Sequence, residues 1–295
     1  MTVLIDPPLW PAHQTVFSHL VSDTSLAELH EVAEAAGLPP RAFDRDHYDV
    51  PEWKYADCVA AGAVAVSARE LVTALRASGL RRTKAVVRAE TVARKEMLLD
   101  RWPLAGASEV AVELLDRWSA RGRYYHDLRH LEHCLDSLAL VAGPGGAGPV
   151  VELAVWFHDA VYAGRAGRDE EESAVLAETR LVGTLPAAEV AEVARLVRLT
   201  AGHSPAAGDE RGELLCDADL AILGADPARY ETYRRDVRRE YADVPLPDFR
   251  KGRAAVLEHL LALDPLYRTE AGARRWAEPA RRNLSAELAT LRNAG

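Results

Sequence analysis

Cysteine is scarce in this 295-residue chain: three residues, Cys58, Cys134 and Cys216, far apart and odd in number, with no CxxC pair. That excludes a disulfide framework and a thiolate-rich metal site, and leaves free thiols in a reducing compartment. Long apolar runs are absent too. Nothing approaches the ~18 consecutive apolar residues of a membrane helix, and the opening MTVLIDPPLWP has no basic stretch ahead of an apolar one, so neither a membrane span nor a signal peptide is expected. Excess positive charge is missing as well. A net charge of −9 and a pI of about 5.6 speak against a general nucleic-acid or anionic-membrane binder. A cytoplasmic protein is the expectation. What the chain has is apolar mass: 48% hydrophobic residues, enough for packed cores, over a length that suggests two domains.

Residues 1–80 read as a small α/β domain. Thr2–Ile5 and Ala63–Val66 are strand candidates. Ser25 and Ser67 are placed to cap the helices SLAELHEVAEAAG and ARELVTALRASG, which glycines close. Residues 81–107 form a basic helical connector carrying Arg81, Arg82, Lys84, Arg88, Arg94 and Lys95, most simply a solvated helix face. From Ser108 to the end the 3.6-residue period dominates. Helices are expected at 108–121, 127–142, 150–162, 169–183, 187–200, 213–224, 227–241, 249–263 and 270–293, separated by Gly- and Pro-rich breaks such as GPGGAGP. The chain is therefore expected to be mainly α: a helical bundle over 108–295 behind a small α/β domain.

Within that apolar pattern three helices carry groups that do not belong in a dry core. The first, RYYHDLRHLEHCLDSLALV, holds His126 and His130 four residues apart on one face, with His133 three further on. The second, ELAVWFHDAVY, ends in the doublet His158-Asp159. The third, ELLCDADLAILG, sets Asp217 and Asp219 among leucines. An ionised carboxylate in such surroundings costs several kcal/mol, roughly, unless compensated. A divalent cation bridging the three helices would compensate it, and a mixed imidazole and carboxylate shell suits Mn, Fe, Co, Ni or Zn. The alternative for each piece alone is a hydrogen-bonded core histidine, or a capping aspartate.

The order H…HD…D, His130…His158-Asp159…Asp219, resembles the HD superfamily of metal-dependent phosphohydrolases. YYHDLRH, AVWFHDAVY, DEEESA, LTAGH, DADLAILG, VRREY and KGR are similar to a bacterial subgroup of predicted HD phosphohydrolases, over about residues 108–293. The resemblance implies a helical bundle with an ion at its centre, held by His130, His158, Asp159 and Asp219, with Asp217 the rival for the last place. It implies one ion rather than two, since His203 is the single clear extra histidine between the doublet and the last aspartate. Asp159 would orient the attacking water, and Glu170 or Glu171 would act on the water or leaving group, unless they serve only as first-turn acids that favour the helix dipole. Arg123, His126, His203 and Arg253 are the candidate substrate contacts, because guanidinium forks bind phosphate bidentately. The implied reaction is hydrolysis of a phosphomonoester or phosphoanhydride in a small phosphorylated molecule or nucleotide. A diiron oxygenase of the same architecture and a non-catalytic nucleotide sensor are the alternatives, and the pattern leaves monomer and homo-oligomer open.

Residues 1–80 are similar to a separate small bacterial domain of unknown function. Its polar residues, His13, His19, Asp23, Asp46, His47 and Asp49, are either surface structure or a second site, and the resemblance supplies no chemistry for them.

Overall fold

The computed structural model describes residues 2–105 and 108–293. The ends of the expected connector (106–107) and of the expected last domain (294–295) lie outside the described residues. The chain divides into two compact units, Met1–Glu90 and Thr91–Gly295. The division falls inside the helix α4 (Lys84–Leu99) that forms most of the basic stretch.

The first unit is a six-stranded sheet with helices. Its strands are β1 (Val3–Ile5), β2 (Trp10–Ala12), β3 (Thr15–Ser22), β4 (Phe43–Asp44), β5 (His47–Pro51) and β6 (Val64–Ala65); α1 (Leu26–Ala35), α2 (Tyr55–Ala60) and α3 (Ala68–Ala77) complete it. The order is β4-β5-β3-β1-β6, with β2 also on β3, antiparallel except for β1 and β6. Ser25 caps α1 by accepting from the Glu28 N–H, and Ser67 with Glu70 forms a capping box on α3. The strands β1 and β6 and both capped helices were expected. The central strand β3 and its partner β5 were not: His19, His47 and Asp49 interrupt their apolar pattern. Ile5, Leu20, Tyr48 and Val50 pack with Leu29 and Ala33 of α1, while Leu4 and Val21 pack under Leu71 and Leu75 of α3.

The second unit is all helical: α5 (Ser108–Trp118), α6 (Leu128–Ala142), α7 (Pro149–Phe157), α8 (Arg168–Arg180), α9 (Ala187–Leu199), α10 (Glu210–Asp219), α11 (Pro227–Glu240), α12 (Leu246–Ala262) and α13 (Glu270–Asn293), with a short 3-10 turn at Leu220–Gly224. Two apolar clusters hold it. One gathers α5 to α10 around Trp118, Trp156 and Phe157, and α7, apolar apart from Glu152, runs through it. The other gathers the 3-10 turn and α11 to α13 around Tyr230, Tyr233, Tyr267 and Trp276. Tyr125, from the turn before α6, belongs to the second cluster, yet its ring lies 4.7 Å from that of His130. Among the described residues no helix is long and apolar enough to cross a membrane.

Candidate metal centre of the helical unit

Three helix segments deliver the donors. His130 sits in the first turn of α6, whose Asp127 caps it from outside. His158 ends α7 and Asp159 follows it; Asp219 ends α10. The C-termini of α7 and α10 therefore point their partial negative charge at the same place, which favours a cation there.

The donor atoms converge. His130 Nε2 lies 3.2 Å from His158 Nε2, 3.1 Å from Asp219 Oδ1 and 3.8 Å from Asp159 Oδ2. His158 Nε2 lies 3.2 Å from Asp159 Oδ2 and 3.5 Å from Asp219 Oδ1. Ligands at about 2.1 Å from a tetrahedral ion stand about 3.4 Å apart, so these five separations bracket the edge of a metal shell. The tautomers agree with it. His158 Nδ1 is 2.8 Å from the Val155 carbonyl, which only accepts, so Nδ1 carries the hydrogen and Nε2 keeps its lone pair when the ring is neutral. Burial lowers the pKa of His130 and outweighs the neighbouring Asp219 carboxylate. Burial also pulls His158 down, but the charges of Asp159 and Asp219 outweigh it and hold that ring well above its ordinary range. Asp219 is the mirror case: burial raises it, while the His158 charge and the bonds from His130, His158 and His203 take it well below. The pocket is thus a concentrated negative potential relieved by whatever positive charge lies at its middle.

Cys134 also reaches this place, one turn after His130. Its Sγ lies 3.5 Å from His130 Nδ1 and 3.9 Å from Asp219 Oδ1, so His130, Cys134, His158 and Asp219 also form a compact donor group. Burial, then the charges of Asp219 and Asp159, push its thiol well up, which disfavours the thiolate a metal needs. Asp159 is the better fourth donor. The i, i+4 spacing from His130 was the readable signal for Cys134.

Further residues surround the four. His203, in the left-handed region at φ 49°, presents Nε2 to Asp219 Oδ2 at 2.8 Å and fixes that carboxylate. His126 stacks on Tyr162 at 4.1 Å and turns Nε2 toward Asp159 Oδ2 at 3.8 Å. Its Nδ1 is held at 2.6 Å by Glu240, whose other oxygen accepts the backbone N–H groups of Tyr124, Tyr125 and His126 at 2.8 to 2.9 Å. Burial raises the Glu240 pKa, but the bond and charge of His126 and these N–H donors bring it below its ordinary value. Glu240 was not among the site residues expected from the sequence, where it figured only as an acid for an arginine to pair with; its partners here lie more than a hundred residues away.

Other predicted residues are engaged elsewhere. Asp217 is fully buried and accepts from the backbone N–H groups of Arg268 and Thr269, at 2.8 Å each, and from the Thr269 hydroxyl, so it anchors the start of α13 and stays apart from the imidazoles. Arg253 is buried in a bidentate pair with Glu287 at 2.8 and 3.0 Å, 5.0 Å from the Tyr233 ring, inside the second apolar cluster. Glu171 is exposed and bidentate to Arg198. Glu170 keeps one carboxylate oxygen buried, and among the described residues nothing bonds it. The buried acid of that first turn is Asp169, which accepts the N–H groups of Ala163 and Arg165. Arg123 donates to the carbonyls of His126, Asp159 and Ala160, tying the turn before α6 to the backbone after α7. Burial lowers its pKa.

A cavity of about 550 Å³ is walled by Arg117, Arg121, Arg123, Ala160, Tyr162, Glu240, Tyr241 and Asp243 among others, and none of the four donor residues lines it. It shares Arg123, Tyr162 and Glu240 with the surroundings of His126 and Asp159.

No curated protein and no solved structure matches the chain. Residues 3–78 match the family described as "Protein of unknown function (DUF4031)", a match that covers the sheet unit and leaves the helical unit outside it.

Proposed function

We propose that the helical unit is a divalent-metal-dependent phosphohydrolase of the HD type, acting on a phosphomonoester or phosphoanhydride of a small molecule or nucleotide. The observation that carries this reading is the set of four donor atoms on His130, His158, Asp159 and Asp219 at shell-like spacing, with the His158 tautomer fixed by the Val155 carbonyl. A cation in that setting, when bound, acidifies a water toward neutrality and draws charge from a phosphoryl oxygen.

The chain's own residues do the rest. His203 immobilises Asp219 through its second oxygen, so the carboxylate enters the shell in one orientation. Asp159 uses Oδ2 toward the imidazoles, and among the described residues no protein group bonds Oδ1, which leaves that oxygen to align the attacking water and take its proton. Glu240 orients His126 so that Nε2 faces the same side and can meet a substrate oxygen. Arg123 holds the two backbone segments in register. The neighbouring cavity is lined by Arg117, Arg121 and Arg123 together with the acids Glu240 and Asp243; Arg123 is committed to backbone carbonyls and Arg117 to Glu113, which leaves Arg121 to meet a phosphate there.

The test is a panel of phosphorylated metabolites and nucleotides presented to chelator-stripped protein reloaded with Mn²⁺, Co²⁺, Ni²⁺ or Zn²⁺. Release of phosphate that EDTA abolishes and metal restores is the expected result. Metal binding with ligand affinity but no turnover would make it a sensor. Iron at two per chain with O₂ uptake would make it an oxygenase.

A further inference from the structure

The sheet unit carries a second gathering of imidazoles and carboxylates, built by strand register. His19 on β3 pairs with Asp49 on β5 across the antiparallel ladder, and His47 lies two residues before Asp49 on its own strand. With a side-chain period of two, all three leave the same face of the sheet. Leu20, Tyr48 and Val50 leave the other face, into the core under α1.

Each imidazole is held from behind by a buried carboxylate. Asp6, 1% exposed, accepts the His19 backbone N–H with one oxygen and holds His19 Nδ1 at 3.1 Å with the other, while also accepting from Trp10 Nε1 at 3.0 Å. Asp46, fully buried, holds His47 Nδ1 at 2.8 Å and accepts from the Arg82 backbone and the Arg81 guanidinium. A carboxylate only accepts, so in both rings Nδ1 carries the hydrogen and the neutral ring keeps its lone pair on Nε2. Both Nε2 atoms face the same oxygen, Asp49 Oδ1, at 4.0 Å from His19 and 3.5 Å from His47. The three residues offer donor atoms that all lie within 4.8 Å of one another. Two carboxylates placed behind two rings to fix their tautomers, with both free nitrogens converging, is the outer-partner arrangement of metal-binding histidines. Holding the sheet together would not require that convergence, because the ladder and the apolar core already do so.

We propose that His19, His47 and Asp49 form a second metal site, for a divalent transition cation, of the two-imidazole, one-carboxylate kind that leaves coordination positions open to a further ligand. The donors stand slightly wider than a closed shell, and Asp49, whose side chain is 51% exposed, is the one free to move inward. Fe²⁺, Mn²⁺, Co²⁺ and Zn²⁺ fit this donor set. Trp10, whose ring is 5.3 Å from that of His19, is a built-in optical reporter for a quenching ion.

The experiment uses the untagged full chain, stripped with chelator, dialysed against Co²⁺ and assayed for bound metal by mass spectrometry and visible absorption. In the His158→Ala, Asp219→Ala double variant, which disables the helical cluster, Co²⁺ is still expected to bind and to quench fluorescence, with the quenching lost in an added Trp10→Phe. Adding Asp49→Asn or His47→Ala is expected to weaken that binding at least tenfold. Should the double variant fail to fold, the wild-type chain and its Asp49→Asn form are compared directly, with one ion fewer expected in the latter. Equal Co²⁺ content and affinity with and without Asp49 and His47, or no binding attributable to the sheet unit at all, would overturn the proposal and leave the cluster as ion pairs. An empty helical cluster beside a loaded sheet cluster would overturn the phosphohydrolase reading instead, so the two failures are distinguishable.

Discussion

In the sheet unit, Asp6 grips both the backbone N–H and the ring Nδ1 of His19; in the helical unit, Glu240 does the same to His126. The local device is shared, but the surroundings differ. On the sheet, register brings His19, His47 and Asp49 together; the imidazoles are 27% and 13% exposed, and Asp49 is half exposed. In the bundle the gathered groups come from helix ends far apart in sequence and meet between two apolar clusters, where His130 and His158 are almost wholly buried and the side chains of Asp159 and Asp219 are 15% and 13% exposed. The difference teaches where each charge is compensated. Water reaches Asp49 and screens it. Asp159 and Asp219 depend on the imidazoles and on whatever cation they enclose, so changes in the bundle should be costly for chemistry and stability alike, while changes on the sheet face should register in metal affinity alone.

The largest effect is expected at His158. Replacing it with alanine removes a donor and breaks the shell, and metal-dependent phosphate release should fall by about 10³-fold or more, several kcal/mol of transition-state stabilisation. Asp219→Asn should follow it, whereas Asp217→Asn should lower the melting temperature of the helical unit and spare turnover, because Asp217 ties down Arg268 and Thr269. Steady-state kinetics beside thermal melts check the pair. Loss of turnover in the Asp217 variant with Asp219→Asn still active would exchange their roles.

Next in size is Glu240→Ala, which strands three backbone N–H groups and His126. Removing one partner of a buried, hydrogen-bonded charge costs about 3–5 kcal/mol. For a unit of this size that is a fall of roughly 10 °C in melting temperature, which calorimetry would read directly. A fall of a degree or two would mean that water substitutes for the carboxylate, and that the bundle resembles the sheet face more closely than its burial suggests.

The helical half of this contrast was legible in the sequence because the helices write an apolar stripe every three to four residues and Gly- and Pro-rich segments separate several of them; the expected and observed spans differ mostly at their ends. The wider set of His126, His130, His133, His158, Asp159, Asp217 and Asp219 was legible too, since charged groups inside apolar helices are conspicuous; the choice of His130 and Asp219 within it came from the resemblance to the HD pattern. The strands β3 and β5 were not, because the polar residues on one face break the apolar run that would have marked them. Partnerships were least legible. Arg253 with Glu287, Glu171 with Arg198 and Glu240 with His126 are decided by tertiary packing across 27 to 114 residues, and no local spacing encodes them.

A smaller, pH-dependent effect is expected at Asp236. Burial raises its pKa to about 6, against the opposing pull of Arg129, 3.3 Å away. A carboxyl whose folded pKa lies above its unfolded value of 3.8 binds more protons when folded, so its contribution to stability is fully present below pH 3.8 and is lost as pH rises through about 6. Across that window the wild type should lose stability relative to Asp236→Asn, as denaturant titrations at several pH values would reveal. Parallel curves for the two proteins would place Asp236 with the water-screened carboxylates such as Asp49.

The smallest effect is expected one position beyond Glu170. Glu171 lies on the solvent face of α8, and both its oxygens meet Arg198 at 2.7 Å. An exposed pair of this kind gains little over hydrated charges. Glu171→Ala should therefore leave melting temperature and turnover unchanged within error, while Glu170→Gln, altering a carboxylate with one oxygen buried and unbonded, should shift at least one of them. If Glu171→Ala instead lowered turnover with its melting curve intact, Glu171 would have to leave Arg198 during the reaction. The line between a buried, chemically committed interior and a screened surface would then run through α8 itself rather than around the donor atoms.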